Sequence, residues 1–162
     1  MRISGTWQGQ YTYGPGYEAS VAGSSVPFTM SITESWLGKV VGYVRDDAAR
    51  GGQPERGHIM GKRRRQSLEF LKVMPKSYVS DAEGRPVDLR QAMQAQHGIE
   101  LPAELPPHRI VYSGTLSDDG QSVAGDWLIL QWSTQVEQGT FVSGIGNGTW
   151  TARRVSDQPS AV

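Results

Sequence analysis

Residues 3–13 carry Ile, Gly, Trp, Gly, Tyr and Tyr at odd positions, and Ser, Thr, Gln, Gln and Thr at even ones. A period of two puts the two sets on opposite sides of a pleated ribbon, so this is a strand with one face buried and one in water. The pattern returns along the chain. Phe28, Met30, Ile32, Glu34 and Trp36 alternate with Thr29, Ser31, Thr33 and Ser35. Further runs cover 39–46, 58–64, 67–78, 109–116, 123–132 and 140–155, the last bent over 144–148. Turn formers such as Gly14-Pro15-Gly16 and Asp118-Asp119-Gly120 separate them. Eight consecutive half-buried strands predict an all-β fold: a single antiparallel eight-stranded up-and-down barrel, because closure removes the exposed edges.

One segment breaks the rhythm. Asp88 has the chemistry of a helix N-cap, Leu89, Ala92, Met93 and Gln96 share a helical face, and Gly98 suits the stop. Pro102, Pro106 and Pro107 then lead back to a strand. The expectation is a short helical insertion between strands five and six, spanning about 80–107 as a lid. The barrel domain covers 1–156, with a flexible tail over 157–162. Gly-Thr-Trp recurs at 5–7 and 148–150, which reads as one packing solution used twice and not as a solenoid repeat.

Loop lengths give the barrel a direction. Connections after strands one, three, five and seven share one end, and they are long: 14–27, 47–57, 79–108 and 133–139. Those after strands two, four and six share the other, and they are tight: 37–38, 65–66 and 117–121. The long-loop end is therefore the expected mouth. Trp7, Trp36 and Trp150 fall toward the floor, with the Arg153-Arg154 pair placed to stack on an indole.

The bulk numbers exclude several classes. In 162 residues, 16 basic and 16 acidic side chains cancel, which argues against a nucleic-acid partner. Lys62-Arg63-Arg64-Arg65 is the main basic run, but on a strand it alternates faces. There is no cysteine, hence no disulfide or thiolate chemistry. The opening Met1-Arg2-Ile3-Ser4-Gly5 lacks the apolar segment of a secretion signal, and no run of about 18 apolar residues exists, so the expectation is a cytoplasmic chain without a membrane partner. His58, His97 and His108 lack metal-ligand spacing, and Gly144-Ile145-Gly146-Asn147-Gly148 lacks the helix a dinucleotide site needs. No metal or cofactor is expected. A homodimer stays open.

A barrel with a mouth invites a ligand. Phe28, Met30, Met74, Ile110, Trp127 and Phe141 would supply apolar walls, and Tyr11, Tyr13, Lys72, Tyr112 and Gln131 the polar handles. Tyr11 and Tyr13 either donate hydrogen bonds into the cavity or are packed aromatics whose hydroxyls reach solvent. Lys72 alternates with Leu68, Phe70 and Met74. It either meets a ligand, or pairs with Glu34, or the register is opposite and it faces out. Glu34 has a natural partner at the floor in one of Arg63 to Arg65 or Arg154.

Gly5, Trp7 and Arg153 or Arg154, on an eight-stranded frame, resemble the calycin-type barrels: lipocalins, fatty-acid-binding proteins and avidins. The resemblance implies the fold and a ligand held inside it. Tyr11-Thr12-Tyr13 followed by Gly16-Tyr17-Glu18 also resembles the phenolic acid decarboxylases, where paired tyrosines hold the substrate carboxylate. Only Tyr11 and Tyr13 carry over; Arg45 and Glu34 are the nearest matches by type to that family's arginine and glutamate. The expected function is a small-molecule-binding barrel for a partly apolar, acidic or carbonyl-bearing ligand. One alternative is a lyase or isomerase acting on a small aromatic or hydroxy acid in the same cavity. Another is a protein-partner or inhibitor module using the long rim loops.

Overall fold

The computed structural model describes residues 2–144 and 146–161; Met1, Ile145 and Val162, which fall in the opening segment, the 144–148 bend and the tail, lie outside the described residues. The elements run β1 (Gly5–Tyr13), β2 (Ser25–Glu34), β3 (Lys39–Asp46), β4 (Arg56–Arg64), β5 (Ser67–Met74), β6 (Tyr78–Ser80), β7 (Pro86–Asp88), α1 (Leu89–His97), β8 (His108–Leu116), β9 (Ser122–Ile129), β10 (Trp132–Val136), β11 (Gly139–Ser143) and β12 (Asn147–Ser156). Eight strands close an antiparallel barrel in the order β1-β12-β9-β8-β5-β4-β3-β2. β1 is paired on both sides, with Trp7 opposite Met30 of β2 and Arg154 of β12. The long and short connections sort to opposite ends as the loop lengths require. Among the described residues, no helix is long and apolar enough to cross a membrane.

Two of the expected strands are longer in sequence than in the barrel. The run 67–78 leaves the wall after Met74, where Pro75 has no N–H for the ladder, and β6 pairs with β7 instead. The runs 123–132 and 140–155 both lose their outer portions to a separate hairpin, β10–β11. This corrects two assignments. Gln131 is exposed and lies between strands. Phe141 packs against Trp132 with ring centroids 5.8 Å apart, away from the barrel wall. The hairpin is a two-stranded ribbon that cannot bury its own aromatic face, so it joins Leu89 of α1 and Leu101 in a second small core, with Val79 and Met93 at its edge. α1 is capped as its sequence requires: the Asp88 carboxylate accepts from the Arg90 and Gln91 amides, and Gly98 turns left-handed at φ 63°.

Trp36 is the third correction. β2 pairing ends at Glu34, and residues 35–38 form the hairpin turn, closed by the Gly38 amide on the Ser35 carbonyl at 3.0 Å. Trp36 therefore rides the turn and is 81% exposed. Trp150 is displaced too, lying opposite Tyr11 and Gly125 at mid-barrel. There it meets Phe70 and Tyr112 edge-on at 5.5 and 5.4 Å, while those two rings stack on each other at 4.9 Å. Its indole N–H donates to the Ser113 carbonyl, and that of Trp7 to the Ile3 carbonyl. The Arg154 guanidinium donates to the Arg2 carbonyl at 2.9 Å. Glu34 takes its expected floor partner: Arg63 Nε donates to Oε1 at 2.6 Å, and the Ile3 amide to Oε2 at 2.8 Å. Beyond β12, the Gln158 carbonyl accepts from Thr6 Oγ1 at 2.8 Å.

Gly148 shows how tight the wall is. A Cβ there would run into the Thr12 carbonyl and the Trp127 indole, which itself donates to that carbonyl. Gly148→Ala should cost ~1–3 kcal/mol in urea unfolding. Gly16→Ala, in a loop position where a Cβ meets nothing within 4 Å, should stay within ~0.5 kcal/mol of the parent.

Candidate functional site

The aromatic layers fill the tight half of the barrel and leave a cavity of about 310 Å³ under the long loops. Inward positions of four strands supply its wall: Tyr11 and Tyr13 from β1, Asp46 from β3, Lys72 from β5, and His108, Ile110 and Tyr112 from β8. Trp127 and Ile129 of β9 complete it, the rim loops add Tyr17, Glu18, Gln53 and Ser77, and β6 adds Tyr78.

At its base lies an ion pair. Lys72 Nζ donates to both oxygens of Asp46 at 2.7 Å, and the two side chains are 3% and 2% exposed. The strands that carry them are separated by β4. The pair spans β4 near Gly57, where a Cβ would press on Met74 Sδ at 2.5 Å and Val44 Cγ1 at 3.1 Å and would meet Lys72 Cε at an ordinary contact distance of 3.5 Å. Lys72 thus faces inward, and its partner is Asp46 and not Glu34. The ammonium also lies 5.3 Å from the centre of the Tyr11 ring.

The groups around this pair are held neutral. Burial, and next the neighbouring Lys72 ammonium, push the His108 imidazole down to about 4, against the smaller opposing pull of Asp46. Burial raises the phenols of Tyr11 and Tyr112 well above their usual range, and the Asp46 carboxylate adds to it. Burial likewise raises Tyr13 and Tyr17. The cavity therefore offers un-ionised hydroxyls and an imidazole that is a poor base at neutral pH. Two buried polar atoms on its wall, Gln53 Oε1 and Ser77 Oγ, have no hydrogen-bond partner among the described residues.

Six residues expected from the sequence meet here: Tyr11, Tyr13, Lys72, Ile110, Tyr112 and Trp127. Phe28, Met30 and Met74 are buried in the barrel core beside the cavity and not on its wall. Gln131 and Phe141 lie outside the barrel, as described above. Arg45 points outward, and Glu34 is held at the tight end by Arg63, so neither joins the tyrosine pair. The structure adds Asp46 and His108, which alternation along β3 and β8 puts on the inward face with Val44 and Ile110. Tyr17, Gln53 and Ser77 sit in loops, where no periodicity could reveal them. Comparison of the chain with family models, curated proteins and solved structures found no match.

Removing one member of a buried pair leaves the other charge uncompensated. Lys72→Met alone should cost ~3–5 kcal/mol, and the double variant Lys72→Met, Asp46→Leu should recover most of it in a denaturant-based double-mutant cycle. The His108 shift adds a pH dependence. Its folded value, about 4, is below the unfolded value of about 6.5. The unfolded chain therefore takes up the proton first as pH falls. The contribution is intact above about pH 6.5, is lost progressively toward about pH 4, and is constant below, amounting to roughly 3 kcal/mol. His108→Gln should remove that part of the slope in urea midpoints measured from pH 7 to 4.

Proposed function

We propose that the chain is a small-molecule-binding barrel, taking a neutral, partly aromatic ligand with hydroxyl or carbonyl groups through its long-loop end. The observation that carries this is the closed Lys72–Asp46 pair beneath a set of phenols. The amine that an acidic ligand would need is already bonded to both Asp46 oxygens. The remaining charged side chains on the wall are acidic, Glu18 and an Asp81 paired with Arg85 at 2.8 Å, and neither gives an anion a cationic partner. What is left for recognition is aromatic surface from Trp127 and the tyrosines, phenolic O–H groups, and the unpartnered Gln53 and Ser77 atoms. A few convergent polar groups in an apolar recess suit an uncharged polar aromatic. The same habit, a ligand held inside an antiparallel barrel, is what the calycin resemblance implies. Binding is favoured over catalysis because Asp46 and Lys72 neutralise each other and His108 is a weak base.

Two probes that share a ring separate the readings: neutral 4-hydroxyacetophenone and anionic 4-hydroxybenzoate, titrated by calorimetry at pH 7. The ketone should bind at least about fivefold more tightly, and Tyr112→Phe should weaken it by about the same factor, the worth of one hydrogen bond. Tighter binding of the acid, or binding of neither with a clean apo mass in native mass spectrometry, would overturn the proposal.

A further inference from the structure

The outer surface of the β3–β4 hairpin differs from the rest of the barrel. The outward side chains of β3 are Lys39, Val41, Tyr43 and Arg45, and those of β4 are Arg56, His58, Met60, Lys62 and Arg64. None is acidic, although the chain as a whole is neutral. The turn before β3 adds Trp36 and Leu37, 81% and 66% exposed. Of the eight large apolar side chains standing exposed among the described residues, five lie on this ribbon and its turn.

The pairing register adds a second observation. Lys39 lies directly opposite Lys62, and Arg45 opposite Arg56. Like charges facing each other across a ladder are destabilising. Lys39, Lys62 and Arg64 form no ion pair with the described residues, and Glu69 stands beside Lys62 in the register without closing on it. A fold that keeps the Lys39–Lys62 repulsion next to exposed Trp36, Leu37 and Met60 is complementary to an extended anionic surface with an apolar layer behind it.

We infer that this ribbon docks the barrel onto an anionic lipid bilayer. Trp36 and Leu37 enter the headgroup boundary, and Lys39, Lys62 and Arg64 face the lipid phosphates. The exposed apolar groups are mostly aliphatic, and the face of Tyr43 is already covered by the Arg56 guanidinium at 4.1 Å. Both points favour lipid over stacked nucleic-acid bases, which need free aromatic faces. The surface lies at the tight end and along the outer wall, so docking leaves the cavity mouth open.

Trp36 supplies its own readout, since Trp7, Trp127, Trp132 and Trp150 are buried. The full chain is mixed with vesicles of phosphatidylcholine, or of phosphatidylcholine with a third phosphatidylglycerol, at low salt. Co-sedimentation should be at least about tenfold stronger with the anionic vesicles, with a blue shift of tryptophan emission. The double variant Trp36→Ser, Leu37→Ser should lose the shift and most of the binding. Lys39→Glu should weaken binding several-fold without lowering the melting temperature, because it turns a like-charge pair into an opposite one. Equal partition onto both vesicle types, retention of binding by the double variant, or binding of a single-stranded oligonucleotide with no vesicle binding would each overturn the inference.

Discussion

Closure of the sheet through β1 is the constraint on which everything else rests. β1 is hydrogen-bonded to β2 on one side and β12 on the other, so the circumference is fixed at eight strands. A barrel of that size encloses little more than its own inward side chains. Whether it is solid or hollow depends on where the bulk falls. Here Trp7 fills the tight end, and Trp150 and Phe70 the middle, while the mouth half carries phenols whose polar ends cannot be packed away without partners. The cavity follows from that asymmetry, and the long rim loops can cover it because they share one end.

The Lys72–Asp46 pair sits where the solid part gives way to the open part. Two charges withdrawn from water are costly, and their mutual attraction offsets that cost only at close, well-oriented contact. Gly57 of the intervening strand leaves room there for Met74 and Val44 beside the lysine stem. Once closed, the pair sets the character of the space above it. The ammonium helps to keep His108 neutral, and the carboxylate helps to keep Tyr11 and Tyr112 protonated. A polar base of un-ionised phenols and imidazole is the result.

Much of this was legible in the residues. Alternation located the eight barrel strands, with β3 at its observed bounds, and the Asp88 and Gly98 caps located α1. Loop lengths distinguished the two ends, and Glu34 found its arginine. The failures share one cause. Periodicity says which face a residue is on, but not where pairing stops or what lies across the barrel. Trp36 continues the β2 pattern yet falls in the turn, because pairing ends at the inward Glu34, two residues before it. Phe141 keeps strand alternation but belongs to a hairpin that leaves the wall. The partner of Lys72 lies two strands away, across β4, so its identity was not available from local sequence.

The molecule therefore presents two unlike regions, a recessed mouth lined by phenols and a basic outer ribbon with exposed apolar groups. The most direct test of the central claim is an NMR titration of tyrosine ring carbons with 4-hydroxyacetophenone, since Tyr11, Tyr13 and Tyr112 line the cavity while Tyr43 lies on the outer ribbon. The account predicts that the three cavity rings shift together and saturate while Tyr43 stays still. Cavity rings that do not respond, or a response confined to Tyr43, would contradict it.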